Sequence, residues 1–210
     1  MALLPWNIRG LGNKDTVQAL KNVCFKYKSQ IVFLSETKQK KRYPEKIRMK
    51  MKMENTFYVE PDGIVGGLAL WWSSDVKLSV LQYDKNFIDI LISVNGESEW
   101  FGTFIYAPPY EGEKLSFWER MTMLRSDVNT EWCIIEDSNI VASPNDKSGG
   151  SPFDHSNAKW YYDFLESTYL IEMQSKGGNY TWSNYRSDED TIWEKLDRVL
   201  TSLEWNFLFP

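Results

Sequence analysis

The chain has 210 residues, 42% hydrophobic and 25% charged, with a formal net charge of -5. That is ordinary for a globular protein with length enough for a sizeable core, and it excludes a uniformly basic nucleic-acid coat while allowing a local basic patch. One histidine, His155, excludes a multi-histidine metal centre within this chain; two cysteines, Cys24 and Cys133, make no disulfide framework; and no apolar run reaches the length of a membrane span or follows Met1 as a signal peptide would.

The first strand is expected from Ala2 and ends in Trp6-Asn7-Ile8-Arg9-Gly10, with Gly10 and Gly12 marking a turn. A helix follows, capped by Asn13 or Asp15, with Val17, Leu20, Cys24 and Tyr27 on one face. Ile31 to Leu34 is apolar without alternation, the pattern of an interior strand, and it ends in Ser35-Glu36-Thr37. Lys38 to Lys52 carries eight basic residues and reads either as a phosphate-backbone contact surface, with Lys40, Lys41 and Arg42 as candidates, or as a solvated loop and helix face. Strands then dominate: Phe57-Tyr58-Val59, a strand entered by Gly66-Gly67 and running to Trp72, an alternating run from Val76 to Leu81, and Phe87 to Val94. Asn95-Gly96 reads as a two-residue hairpin turn before Trp100 to Tyr106, which prolines 108 and 109 stop. Leu115, Trp118, Met121 and Leu124 or Arg125 trace a helix.

Trp132 to Ile135 is a short buried-strand pattern that ends abruptly in Glu136-Asp137-Ser138-Asn139. In open α/β folds, groups just past the carboxyl ends of strands are where ligands sit. A carboxylate and an amide two residues apart suit water orientation and phosphate-oxygen binding. After a polar loop from Ser143 to Pro152, Trp160, Phe164 and Leu165 mark a helix, Gly177-Gly178 precedes Tyr180-Thr181-Trp182-Ser183, and Leu196 to Leu200 is the last core stretch. No linker interrupts the chain, which reads as a single α/β domain over residues 1–210, strand-rich in its middle third, with two sheets covered outside by helices.

The strand ends form an ordered set: WNIRGLGN, LSETK, Ile105-Tyr106-Ala107-Pro108, Asp137-Ser138-Asn139, DKSGG, TWSN and LDR. From Leu3 to Pro210 this set resembles the endonuclease/exonuclease/phosphatase family, and more closely the apurinic-type endonuclease domain of plant LINE-type (non-LTR) retrotransposons. The resemblance implies a four-layer αββα sandwich, two packed β-sheets flanked by helices, and Mg²⁺-dependent (or Mn²⁺-dependent) phosphodiester hydrolysis as a DNA-nicking endonuclease. It implies that Glu36 binds the metal, for which one carboxylate with water and phosphate oxygens is a sufficient anchor. It implies that Asn7 and Tyr106 contact the phosphate, Asp137 orients or deprotonates the attacking water, Asn139 holds phosphate oxygens and Thr181 supports them. Asp197 matches an Asp that fixes the tautomer of a catalytic His. The implied partners are DNA and, in a full-length relative, a reverse transcriptase. The implied location is nuclear or cytoplasmic, not secreted, and no membrane is involved.

Three departures stand out. Glu136-Asp137-Ser138-Asn139 replaces the family's Gly-Asp-Phe-Asn, adding a carboxylate beside Asp137 and predicting a small void where Phe would pack. The family's Ser-Asp-His motif lies some tens of residues past the Asp197 position, so the fold is expected to be C-terminally incomplete and turnover weakened or lost. Arg9 stands where relatives outside the retrotransposon group carry a metal carboxylate. The alternative readings are a non-catalytic remnant or binding domain and a phosphatase acting on a small phosphorylated substrate.

Overall fold

Uninterrupted apolar runs become the interior strands. The computed structural model describes residues 1–94, 98–125 and 130–209, so the expected Asn95-Gly96 turn lies outside the described residues. The fold is α/β, with two large mixed β-sheets and two compact units, Met1–Phe104 and Ile105–Pro210.

In the first unit, β1 (Leu3–Asn7) lies parallel to β2 (Ile31–Ser35), and the register runs from Leu3 opposite Ile31 to Asn7 opposite Ser35. β2 is buried along its whole length because it is flanked on its other side by β4 (Leu68–Trp72), which in turn pairs with β3 (Asn55–Val59). Two helices cover this four-stranded sheet. α1 (Lys14–Tyr27) starts at Asn13, whose side chain accepts the Asp15 N–H at 2.8 Å, a standard N-cap. Leu20 and Cys24 enter the core with Ile8, Leu11, Val32, Leu34 and Trp71. Tyr27, expected on that buried face, is instead 58% exposed, because it is the last helical residue and the chain turns left-handed at Lys28. α2 (Arg42–Lys50) adds Ile47. Beneath the four-stranded sheet lie β5 (Lys77–Tyr83), β6 (Phe87–Val94) and the start of β7 (Ser98–Tyr106). Phe33 of β2 stacks on Phe104 of β7 at 4.9 Å, and Phe57 of β3 meets Tyr83 of β5 edge-on at 4.7 Å. These are the contacts of two sheets packed face to face.

In the second unit, α3 (Glu111–Leu124) and α4 (Lys159–Thr168) bury Trp118, Tyr161 and Phe164 in one aromatic cluster with Trp132. Trp132 opens β8 (Trp132–Asp137). On α3 the buried face is Lys114, Phe117, Trp118 and Met121, and the expected Leu115 is 40% exposed. A two-residue strand, β9 (Lys147–Ser148), precedes α4; β10 (Ile171–Glu172) follows it. Then come β11 (Trp182–Ser183), β12 (Trp193–Glu194) and β13 (Asp197–Thr201). β13 runs antiparallel between β8 and β10, and β9, β11 and β12 form a separate small sheet. The chain continues into a helix absent from the sequence reading, α5 (Leu203–Leu208), capped by the Ser202 hydroxyl. Cys24 and Cys133 are both free and buried, as small hydrophobes. Among the described residues, no helix is long and apolar enough to cross a membrane.

Candidate active site

Two hydrogen-bonded groups gather the expected residues. In the first unit, the parallel register leaves Asn7 beside Ser35, so the chain leaving β2 brings Glu36 to Asn7. The Asn7 amide donates to Glu36 Oε1 at 2.9 Å, and Lys38 Nζ lies 2.8 Å from Glu36 Oε2. The Asn7 side-chain oxygen, Oδ1, accepts the Arg9 N–H at 3.2 Å. This corner is built from backbone that L-residues rarely adopt: Arg9, Glu36 and Lys38 have φ of 48°, 51° and 51°. Thr37 and Lys38 donate their N–H groups to the carbonyls of Gly67 and Gly66 at 3.1 and 3.0 Å. The Gly66-Gly67 pair that precedes β4 is therefore a floor for the Glu36 turn. Only glycine fits at position 67, where φ is 86° and a Cβ would lie 2.5 Å from Thr37 Oγ1.

The donor set at Glu36 suits a hard divalent cation as a single-carboxylate anchor, one carboxylate beside an amide carbonyl oxygen, with water and phosphate supplying the rest. Among the described residues there is no cluster of three or more His, Cys, Asp or Glu side chains arranged around a metal position.

The basic stretch after Glu36 is divided in its use. Arg48 is buried and bonded to Glu45 and to the Met53 carbonyl, while Glu45 also accepts from the Tyr58 hydroxyl at 2.9 Å. The hydrogen bond from Arg48 holds the Glu45 carboxyl below its usual range, and burial pushes the Tyr58 phenol up to about 12. Arg48 therefore anchors the helix and is not part of a contact surface. Lys40, Lys41, Arg42, Lys46, Lys50 and Lys52 are exposed. Arg42, Lys46 and Lys50 recur every four residues, along one stripe of α2. Thirteen of the chain's Lys and Arg residues, against four of its Asp and Glu, fall within residues 1–54, so an acidic chain has a strongly basic beginning.

In the second unit, Asp137 closes β8, and the cross-strand register sets Asp197 directly opposite it. Asp137 is 9% exposed and Asp197 lies open to solvent. Two carboxylates opposed across a ladder repel each other unless a cation or proton sits near. Ala107, just past Tyr106 at the end of β7, donates its N–H to the Asp137 carbonyl at 2.8 Å and accepts from the Asn139 amide at 2.6 Å. Asn139 is itself left-handed, with φ of 47°, and its N–H reaches Asp137 Oδ1 at 3.3 Å. One side-chain N–H of Asn139 is thus committed to the backbone, leaving the second. The Thr181 hydroxyl accepts the N–H groups of Leu196 and Asp197 at 3.0 and 3.1 Å, which fixes the start of β13.

At Ser138, where a small void was expected, the structure places a bonded polar pair. Ser138 is fully buried, its hydroxyl donates to the Leu196 carbonyl at 2.8 Å, and Arg198 Nη1 donates to it at 2.9 Å. The backbone of Glu136 belongs to β8; its side chain lies outside what the structure describes. His155 is exposed at the start of a short 3-10 turn and meets Phe153 edge-on. Sequence reasoning missed an open pocket beside Thr181, lined by Tyr180, Trp182, Tyr185, Arg186, Thr191 and Trp193. Its signal was present as four aromatics and an Arg within fourteen residues, Tyr180 to Trp193.

No protein-family model and no curated protein matches this chain. Solved structures do. The endonuclease domain of TRAS1, a telomere-specific non-LTR retrotransposon, superposes with a TM-score of 0.71 at 13% identity, covering 98% of this chain and 87% of that one. An AP endonuclease from Leishmania major gives 0.77 at 12% identity, over 96% and 79%. A Neisseria 3' phosphatase bound to a product DNA hairpin gives 0.67 at 17% identity, over 96% and 86%.

Proposed function

We propose that this chain, which has the endonuclease/exonuclease/phosphatase fold, is a DNA-nicking phosphodiesterase of LINE-type retrotransposon origin that depends on Mg²⁺ or Mn²⁺. The observation that supports the reading is that Asn7 and Glu36 are hydrogen-bonded at one set of strand ends, and Asp137, Asn139, Thr181 and Asp197 are tied together at another, beside the strand end at Tyr106. A carboxylate anchor, a candidate base and amide donors are the kinds of group that phosphodiester hydrolysis uses.

In this reading Glu36 is the metal anchor and Asn7 keeps its carboxylate oriented through the 2.9 Å bond. The cation supplies charge stabilisation for phosphate oxygens when bound. Asp137, nearly buried and fixed by the Ala107 backbone, accepts a proton from the attacking water. Asn139 offers its second side-chain N–H to a phosphate oxygen, as does the Tyr106 hydroxyl. Thr181 holds Asp197 at its place opposite Asp137. Lys40, Lys41 and Arg42, with the stripe along α2, contact the DNA backbone. The pocket of Trp182, Tyr185 and Trp193 receives an apolar face of the substrate, a base or deoxyribose, by stacking. In a full-length relative the nick would prime an attached reverse transcriptase, in the nucleus or the cytoplasm.

The test is conversion of supercoiled plasmid to the nicked circle with Mg²⁺. Glu36→Ala and Asp137→Asn should each lose about 10²–10³ in rate, the range for removing one preorganised group. Nicking that is unchanged in Glu36→Ala and persists in a chelator would overturn the reading. A phosphatase is the second reading, supported by the likeness to the Neisseria enzyme. Release of inorganic phosphate from a 3'-phosphorylated oligonucleotide, with duplex DNA left intact, would select it.

A further inference from the structure

Arg198 is fully buried, and its guanidinium is spent on four separate segments of the second unit. Nη1 donates to the Ser138 hydroxyl at 2.9 Å and to the Ile140 carbonyl at 3.1 Å. Nη2 donates to Asp146 Oδ2 at 3.0 Å, and Nε faces Glu172 Oε2 at 3.4 Å. The Tyr161 ring packs against it at 5.6 Å. Burying a guanidinium is unfavourable unless its donors are met by carboxylates and carbonyls in good geometry. Here Nη1 and Nη2 are so met, and Nε has the longer ion-pair contact with Glu172. The Nη1 acceptors share a place: Ser138 and Ile140 flank Asn139, and Ser138 follows Asp137.

The DKSGG segment, Asp146 to Gly150, finds its use in the same network. Asp146 also accepts the Ser143 N–H at 2.9 Å, and its carbonyl accepts the Lys195 N–H at 2.8 Å. Lys147 pairs with Glu194 at 2.9 Å, and Lys195 pairs with Glu172. Gly149 packs so closely on Thr191 that a Cβ would lie 2.2 Å from its carbonyl oxygen. The loop is thus sewn to β12 and β13 and holds Asp146 against Arg198 from the side opposite Ser138.

We infer that Arg198 is a positioning residue. Its guanidinium fixes the Ser138–Ile140 turn so that the Asp137 carboxylate and the Asn139 amide are held in one orientation. The inference rests on the reading of Asp137 and Asn139 as the acting groups. It also explains why Ser is present at position 138. A hydroxyl there relays the guanidinium to the turn, which an apolar side chain cannot do. Arginine is needed because two nitrogens of one planar group divide the work, Nη1 serving Ser138 and Ile140 and Nη2 serving Asp146; a lysine has one nitrogen for all three.

The experiment compares Ser138→Ala, Arg198→Lys and, as a packing control on the same strand, Leu200→Ala. Each is assayed for plasmid nicking well below its melting temperature, and each is followed by amide hydrogen exchange. Ser138→Ala removes one hydrogen bond without stranding a buried charge, so it remains informative if the Arg198 variant folds poorly. Arg198→Lys should lower kcat about 10–100-fold with KM unchanged, the range for outer-shell partners of acting groups, and Ser138→Ala should lie at the lower end. Exchange of the Asn139 and Ile140 amides should accelerate in both, and that of Ile134, within the strand, should not. Leu200→Ala should lower the melting temperature and leave kcat alone. The inference is overturned if Arg198→Lys and Ser138→Ala keep wild-type kcat, or if exchange accelerates evenly along the strand as in the control. A wild-type protein that does not nick removes the functional reading alone. The exchange pattern then decides the inference, local acceleration supporting it and uniform acceleration refuting it.

Discussion

Replacing Gly67 with Ala tests how the Glu36 corner is built. The new Cβ would lie 2.5 Å from Thr37 Oγ1 and 3.1 Å from Pro61 Cβ, at a φ of 86°. Two costs add. Placing an L-residue in left-handed backbone costs roughly 1–2 kcal/mol, and forcing extra volume into a packed site costs about 1–3 kcal/mol. The sum, about 2–5 kcal/mol, corresponds to a fall in melting temperature of roughly 4–20 °C for a chain of this size. The two contributions separate in a second background. Thr37→Ala removes the closest atom and leaves φ unchanged, so there Gly67→Ala should cost about 1–2 kcal/mol less. The assay is urea unfolding of the four proteins at equilibrium. An equal cost in both backgrounds would show that Thr37 does not oppose the Cβ. A cost under about 1 kcal/mol in the wild-type background would refute the claim that glycine is required.

Other consequences are measurable in the same way. Burial pushes the Cys24 and Cys133 thiols up to about 11 and about 12, so both should resist alkylation in the native state at pH 8 and react fully in urea. Because these folded values lie above the unfolded thiol value of 9.0, their contribution is intact below pH 9 and is lost as pH rises toward 11 and beyond; the urea midpoint should fall over that window, and less steeply in Cys133→Ala. Glu45, held low by the Arg48 hydrogen bond, works in the opposite direction: its contribution is present above pH 4.5 and lost on acidification, a loss that Glu45→Gln should abolish in an acid titration of the melting temperature. Neutralising Lys40, Lys41 and Arg42 together should reduce the slope of log affinity for duplex DNA against log salt by about 2–3, and an unchanged slope would remove them from the contact surface.

The sequence carried the parts of this fold whose causes are local. β2 was legible because a strand paired on both sides and covered on both faces is apolar at every position, and Ile31 to Leu34 is. α1 was legible from its cap and from Leu20 and Cys24 four apart. The short strands β9, β11 and β12 were not, since two residues carry no periodicity and their pairing is set by segments as much as 47 residues away. α5 was hidden by its brevity and by following a strand with only Ser202 between. At the candidate site, the candidate residue types and their order were visible, and their support was not. Nothing near Arg198 in the chain announces a partner at Ser138, 60 residues earlier. Nothing in Ser-Glu-Thr-Lys announces left-handed backbone at both Glu36 and Lys38.

That backbone has a consequence for how the chain tolerates change. At Arg9, Glu36, Lys38 and Asn139, glycine would relieve a conformational penalty of order 1 kcal/mol at each position. Yet none of the four is glycine. In a saturation screen read twice, once for cellular abundance and once for activity, most positions should rank their substitutions alike. These four should not: glycine should stand near the top of the abundance ranking and near the bottom of the activity ranking at Glu36 and Asn139. Positions where the two rankings part mark side chains kept for what they do, at the expense of the fold that carries them.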